Sequence, residues 1–302
     1  MRQRHVLVDL MLLGTVLLWA LNSTVTRYVL THGFAPLAYG TLRYAAAVLL
    51  FWAFTWIRER SFHVARRDLG WIALAAAMIY VNQIGFVYSI DKTSASTVTL
   101  FLGTTPIFVG LVAGAIGLER PGGGFWVATA LSFVGVGFVA AGSGGLSGRL
   151  FGDALAVFTA ASWGVYSTAI APLMRRYSPF RISSIVLGLG WLPLAATGLP
   201  QTTGQSLHFG WRIWLCFAFA VVGPLFVTNL LWFTAIDRVG PSRASLFSNV
   251  QPFVGVVFAI LLLGERLSRW EIVGGVVIAA GIVAERRSRL GRRTPELQPA
   301  AD

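Results

Sequence analysis

Charge is scarce in this chain. Of its 302 residues only 12% are Asp, Glu, Lys or Arg, 56% are hydrophobic, and the mean hydropathy is +0.70. A soluble domain carries about 25% charged residues, so a water-soluble globular class is excluded. Cysteine is nearly absent. Cys216 stands alone, permits no internal disulfide, and reads from its apolar surroundings as a small buried residue. The four histidines (His5, His32, His63, His208) lie away from the centres of the apolar runs, and no Cys/His cluster has metal-site spacing. There is no phosphate-cradling P-loop, so no ATP-driven mechanism is expected. None of the twelve acids falls at the middle of an apolar run. That leaves no mid-membrane carboxylate to relay protons and no acid or histidine to partner a serine in an intramembrane enzyme. No cofactor is expected.

What the chain has instead is a series of apolar runs of about 20 residues, the length of a bilayer-spanning helix. A membrane barrel needs alternating segments of about 10 residues. The expected class is an all-α membrane protein with ten spans, at residues 6–27, 36–57, 69–90, 95–118, 123–142, 153–174, 180–199, 211–236, 243–264 and 269–285. The first run follows Arg2 and Arg4, but Ala20-Leu21-Asn22 is a poor cleavage site, so it reads as a retained helix rather than a signal peptide. The glycine- and serine-rich stretch Gly142 to Gly148 reads as a flexible join. The expected organisation is a first five-helix repeat over 1–142, a linker over 143–152, a second repeat over 153–285, and a disordered tail over 286–302 containing Pro295 and Pro299.

Two stretches repeat at a fixed distance. Asp91, Pro106 and Glu119-Arg120 recur as Asp237, Pro252 and Glu265-Arg266, each 146 residues later, with Leu100-Phe101 matching Leu246-Phe247 and Ser96 matching Ser242. Nine of 31 aligned positions are identical, where roughly two are expected by chance, which marks an internal repeat. The first spans of the halves also match, with Asp9 and Trp19 in one and Asp153 and Trp163 in the other, 144 apart. Five spans per copy is an odd number, so the second copy must enter the bilayer upside down. Inverted repeats of this kind characterise transporters with a site near the midplane. With both termini inside, the inner loops and tail hold 17 basic residues and the outer segments 6. This asymmetry follows the positive-inside rule. A net charge of +12 then reads as topology rather than as a nucleic-acid surface.

The two five-span halves, the tryptophan in the first span of each, and the Pro106…Glu119-Arg120 and Pro252…Glu265-Arg266 signatures resemble the drug/metabolite transporter superfamily, specifically its ten-helix EamA-type exporters. The likeness covers residues 6–285. The second signature fits the family pattern better than the first, which has Gly117-Leu118 before its glutamate and Gly122-Gly123-Gly124 after it. The resemblance implies export of small metabolites through a central cavity, without fixing the solute. The small four-helix multidrug exporters of the superfamily carry a glutamate within the first helix. Here Trp19 and Asn22 occupy that depth.

The candidate substrate-binding residues are polar or aromatic and lie within spans. Trp19, Asn22, Ser23 and Thr26 share one helix face, as do Trp163, Tyr166 and Ser167. An unpaired amide facing lipid is costly, so these faces point inward, to a cavity or to a neighbouring helix. Tyr80, Asn82 and Gln83 in the third span, Asn229 and Trp232 in the eighth, and Asn249 and Gln251 in the ninth extend the set. Arg43 is the only Lys or Arg well inside a span. It binds a substrate carboxylate, snorkels to the surface, or pairs with an acid such as Asp153. Pro106 and Pro252, at equivalent positions, are expected to kink their helices and act as a hinge or shape element. Gly110-x-x-x-Gly114, Gly135, Gly137, Gly274 and Gly275 permit close helix packing. Trp56, Trp71, Trp126, Trp211 and Trp270 at span ends read as interface anchors.

The expected function is that of a secondary transporter of a bacterial inner (plasma) membrane, exporting amino acids or related amphipathic solutes by alternating access. Its partners are a small-molecule substrate and the lipid bilayer, with no nucleic acid, and it is a monomer or homodimer. The competing class is a non-transporting membrane scaffold or sensor, whose polar faces would be packed shut with no cavity between them.

Overall fold

The computed structural model describes residues 2–117, 123–142, 149–239, 247 and 250–291. Among the described residues every regular element is helical. In chain order they are α1 (Arg2–Thr31), α2 (Pro36–Glu59), α3 (Leu69–Lys92), α4 (Ala95–Leu102), α5 (Thr105–Ala115), α6 (Gly123–Gly142) and α7 (Arg149–Met174). Then come α8 (Pro179–Gly204), α9 (Trp211–Val221), α10 (Thr228–Val239), α11 (Gln251–Leu263) and α12 (Arg269–Gly291). Eight helical runs are long and apolar enough to cross a membrane, and α11 is a shorter apolar helix. Residues 143–148 of the expected linker, the segment holding Glu119-Arg120, and residues 292–302 of the tail lie outside the described residues; residues 149–152 instead open α7, and 286–291 close α12 as helix.

Two of the expected spans are not single helices. The fourth is divided into α4 and α5 at Gly103-Thr104, where the Thr104 hydroxyl donates to the Phe101 carbonyl at 2.7 Å. Pro106 sits in the first turn of α5 and Pro252 in the first turn of α11. A helix interior would lose a hydrogen bond to proline, but the first turn has N–H groups without helical partners in any case. Both prolines therefore start helical segments rather than kink continuous ones. Gly103 lies where a Cβ would come within 2.9 Å of the Pro252 ring, so these two points of the halves meet almost backbone to ring. The eighth span widens into a π-turn at Val222–Val227 between α9 and α10. Pro224 lies within it and brings no N–H to the ladder. Wide turns of this kind free backbone groups and recur at functional sites.

The packing pairs the two repeats. The fifth spans of the two halves, α6 and α12, pack together, as do the second spans, α2 and α8. Other pairs come as mates: α1 against α10 and α3 against α7, then α1 against α11 and α5 against α7. Each pair joins one half to the other, so neither half is a separate core. Small residues set the closest approaches. A Cβ on Gly135 would lie 2.7 Å from the Gly274 carbonyl, and one on Gly274 would lie 2.5 Å from the Gly135 carbonyl. Gly137 faces open space, and Gly110 receives the Phe125 ring within its own half.

Polar ties close both ends of the bundle. At one end Glu265 caps α4 of the other half, accepting from the backbone N–H groups of Ala95 and Ser96 at 3.0 Å each and from the Ser96 hydroxyl at 2.6 Å. Glu271 accepts from Thr97 Oγ1 at 2.7 Å. A carboxylate at a helix N-terminus satisfies orphan donors and meets the positive end of the helix dipole. At the other end Asp68 is held by Arg176 and by the Tyr177 hydroxyl at 2.6 Å, and Glu59 pairs with Arg181 at 2.7 Å.

Candidate functional site

The site is built around a buried guanidinium. Arg43 is 1% exposed, so it does not snorkel. Its Nη1 donates to Asn22 Oδ1 at 3.2 Å and its Nη2 to Gln83 Oε1 at 2.6 Å, while Nε has no partner. None of the ion pairs among the described residues includes it. The rings of Tyr39, Tyr44 and Phe86 lie 4.9, 5.9 and 5.7 Å from its central carbon. Their faces offset part of the desolvation. An arginine cannot shed its proton to escape burial, and an unpaired buried ion costs several kcal/mol even after relaxation.

An amide relay fixes this cation. Gln83 Nε2 donates to Asn82 Oδ1 at 3.2 Å, and Asn82 Nδ2 donates to the Thr159 carbonyl at 2.8 Å and to Ser162 Oγ at 3.2 Å. The chain of bonds thus runs from α7 of the second half through α3 to α2 of the first. Close approach of α3 and α7 makes it possible: a Cβ on Gly85 would stand 2.6 Å from Thr159 Oγ1.

Arg43 opens onto a central cavity with about 730 Å³ of empty space, counting its mouth. Trp19, Asn22 and Ser23 from α1 line it, with Arg43 and Tyr44 from α2 and Asn82, Gln83 and Phe86 from α3. The second half contributes Thr159 and Trp163 from α7, Pro224 and Leu225 from the π-turn, Asn229 from α10 and Gln251 from α11. No carboxylate lines it among the described residues. Ser23 Oγ is buried without a partner. Asn229 Nδ2 donates to the Leu225 carbonyl at 2.5 Å.

An aromatic cluster stands beside the cation. The equivalent tryptophans of the two halves, Trp19 and Trp163, meet edge to face with centroids 5.2 Å apart, and Trp232 lies 4.9 Å from Trp19. Trp19 is held by hydrogen bonds from Nε1 to Thr228 Oγ1 at 2.9 Å and to the Pro224 carbonyl at 3.3 Å. Among the described residues the cavity therefore offers one fixed positive charge, several neutral hydrogen-bonding groups and an aromatic wall.

Of the residues expected from the sequence, the structure brings Trp19, Asn22, Ser23, Arg43, Asn82, Gln83, Trp163, Asn229 and Gln251 to the cavity. Trp232, Tyr166 and Ser167 lie behind its wall. Tyr166 packs on Trp163 with centroids 5.1 Å apart, and the polar side-chain atoms of all three are buried without partners. Tyr80 is off the site. The cavity face of α3 is Ile79, Asn82, Gln83 and Phe86, and Tyr80 sits one residue, about 100° of helix rotation, away from Ile79. Asn249 lies outside the described residues. The sequence reading passed over Tyr44, Thr159 and Pro224. Only Pro224 carried a signal, a proline deep in an apolar run.

With this geometry in place, the comparisons with known proteins decide the family. The EamA-like transporter family model matches residues 6–141 and again 150–284. The chain belongs to the EamA-like transporter family. It is an integral membrane transporter, not an enzyme. Among relatives of the EamA-like chain, an uncharacterized transporter of Archaeoglobus fulgidus is 25% identical, covering 91% of this chain and 97% of the relative. A probable terminal-alkyne amino-acid exporter of Streptantibioticus cattleyicolor is 28% identical over 77% of this chain and 78% of its own. An aromatic amino acid exporter, YddG, of Ancylobacter novellus is 29% identical over 37% and 38%. One solved crystal structure superposes with a TM-score of 0.67 at 17% identity, covering 97% of this chain and 99% of the other, a likeness of fold alone.

Proposed function

We propose that this EamA-family transporter is a secondary exporter of small solutes that carry a carboxylate and an apolar or aromatic body, amino acids above all. It works by alternating access between two inverted five-helix repeats, ten spans in all, with both termini in the cytoplasm of a bacterial cell and the central cavity as the site. The observation that carries this reading is Arg43, a buried guanidinium with an unpartnered Nε and no carboxylate partner among the described residues. A solute carboxylate would complete it, and a desolvated charge pair with a rigid guanidinium fork is both strong and directional. The aromatic wall of Trp19 and Trp163 suits the solute's apolar body, and the oxygens of Asn229 and Gln251 can accept from an ammonium group. That two relatives are named as amino-acid exporters agrees with this chemistry. A sealed scaffold needs no such cavity.

The test is a flux screen in proteoliposomes, with and without a pH gradient, comparing aromatic and aliphatic amino acids with the amines that lack their carboxylate. Saturable movement of the amino acids and none of the amines is expected. If no amino acid moves, or if the amines move equally well, the proposal fails.

A further inference from the structure

The central cavity carries an unbalanced charge. Among the described residues Arg43 is the one charged side chain that lines it. The stretch 240–249, which precedes the cavity residue Gln251 in the chain, contains no Asp or Glu. The amide oxygens nearest the cation are already engaged. Asn22 Oδ1 and Gln83 Oε1 accept from Arg43 itself, and Asn82 Oδ1 accepts from Gln83 Nε2. The rings of Tyr39, Tyr44 and Phe86 are turned to the same guanidinium. Trp19 is packed by Trp163 and Trp232. The surroundings of Arg43 are thus spent on one cation and hold no acid for a second.

Such a cavity sorts carboxylates by what stands beside the carboxylate. In an α-amino acid the ammonium nitrogen is two bonds from the carboxylate carbon, about 2.5 Å away. Pairing that carboxylate with Arg43 brings the ammonium to roughly 6 Å from the guanidinium. Two cations at that distance repel far more strongly inside a bundle than in water. A zwitterion also leaves the cavity as positive as it found it, whereas a monoanion neutralises it. An uncompensated buried charge is costly, and the neutral amides of Asn229 and Gln251, which complete the polar wall, compensate a full charge poorly. They suit a hydroxyl better, since it needs one neutral partner and carries no charge.

We propose that the cavity also takes aromatic and apolar carboxylates that carry no ammonium group, 2-hydroxy acids among them, and holds them more tightly than the amino acid of the same side chain. This rests on the reading of Arg43 as the carboxylate contact and widens the solute class at that site. With such an acid bound, guanidinium and carboxylate cancel each other, and the ring meets Trp19 and Trp163.

The experiment measures equilibrium binding to the purified full-length protein by isothermal titration calorimetry. Phenylalanine is compared with 2-hydroxy-3-phenylpropanoate, which differs from it only in having a hydroxyl in place of the ammonium. The hydroxy acid should bind about tenfold more tightly. The diol 3-phenylpropane-1,2-diol, the same skeleton without the carboxylate, should bind at least about tenfold more weakly than the hydroxy acid. In Arg43→Gln the advantage of the hydroxy acid over phenylalanine should vanish, with the unfolding temperature reporting that the variant is folded. The comparison of solutes on the unaltered protein stands without that variant. Phenylalanine binding as tightly as the hydroxy acid, or more tightly, overturns the proposal while leaving Arg43 as the carboxylate contact. An undiminished advantage in folded Arg43→Gln overturns it too, because the guanidinium is then not its cause. If neither acid binds better than the diol, the reading of Arg43 fails and the proposal falls with it.

Discussion

The two halves of this transporter are alike where they touch each other and unlike where they touch the cavity. Gly135 and Gly274 sit carbonyl against Cα in a reciprocal contact, and Trp19 meets its counterpart Trp163. Inside the cavity the match ends. Among the described residues the first half brings the only charge and most of the amide relay, through Arg43, Asn22, Asn82 and Gln83. The second brings Trp163, Asn229, Gln251 and the π-turn residues Pro224 and Leu225. Symmetry therefore serves packing, whereas the recognition we propose rests on residues that one half has and the other lacks. A solute with one carboxylate and one apolar body has no two-fold symmetry either, and a site with a charged side and an aromatic side fits it in one orientation.

This difference can be broken at several points. The largest effect is expected at the shared contact. Gly135→Leu and Gly274→Leu each force a side chain into the opposing backbone, and overpacking of this kind costs about 3 kcal/mol. The two variants should lose similar amounts of folded, detergent-stable protein in a thermal melt. If one half tolerates the change and the other does not, the contact is not reciprocal. Next, Trp163→Ala removes an aromatic wall. Edge-to-face pairs add about 0.5–1.5 kcal/mol beyond area burial, so affinity for aromatic solutes should fall by about tenfold, while aliphatic solutes lose less in the same competition assay. A smaller effect is expected from Asn82→Ala, which cuts the relay two side chains from Arg43. Losing such hydrogen bonds costs about 1 kcal/mol, seen as a fewfold rise in KM for the carboxylate solute, with partial restoration in Asn82→Gln.

The legibility of the sequence follows the same division. Spans were readable because burial in lipid demands about 20 apolar residues in a row, and α2 and α3 begin where the hydropathy runs begin, at residues 36 and 69. The break at Gly103-Thr104 and the π-turn at Val222–Val227 were not, because hydropathy is blind to how backbone hydrogen bonds are routed. Pro106 and Pro252 show the limit well: a proline in an apolar run implies disturbed helix, but only tertiary packing shows that each starts a new segment. Arg43 was visible because a cation has one cheap reason to be in a membrane, a partner. Tyr80 misled because an i, i+3 spacing alone does not say which side of α3 the cavity touches. Glu265 caps α4 of the other half, a contact 169 and 170 residues distant in sequence that no local pattern announces.

The central claim is that the charge of the first half reads the solute's carboxylate, and one measurement addresses it directly. Counterflow of a hydrophobic amino acid in proteoliposomes is compared for the unaltered protein, Arg43→Lys and Arg43→Gln, with the unfolding temperature of each as a control for folding. Losing one member of a buried charge pair costs roughly 2–5 kcal/mol, so Arg43→Gln should weaken affinity by about thirtyfold or more. Arg43→Lys, which keeps the charge but not the planar fork, should fall in between. An Arg43→Gln protein that folds normally and transports the amino acid with unchanged KM would contradict the account.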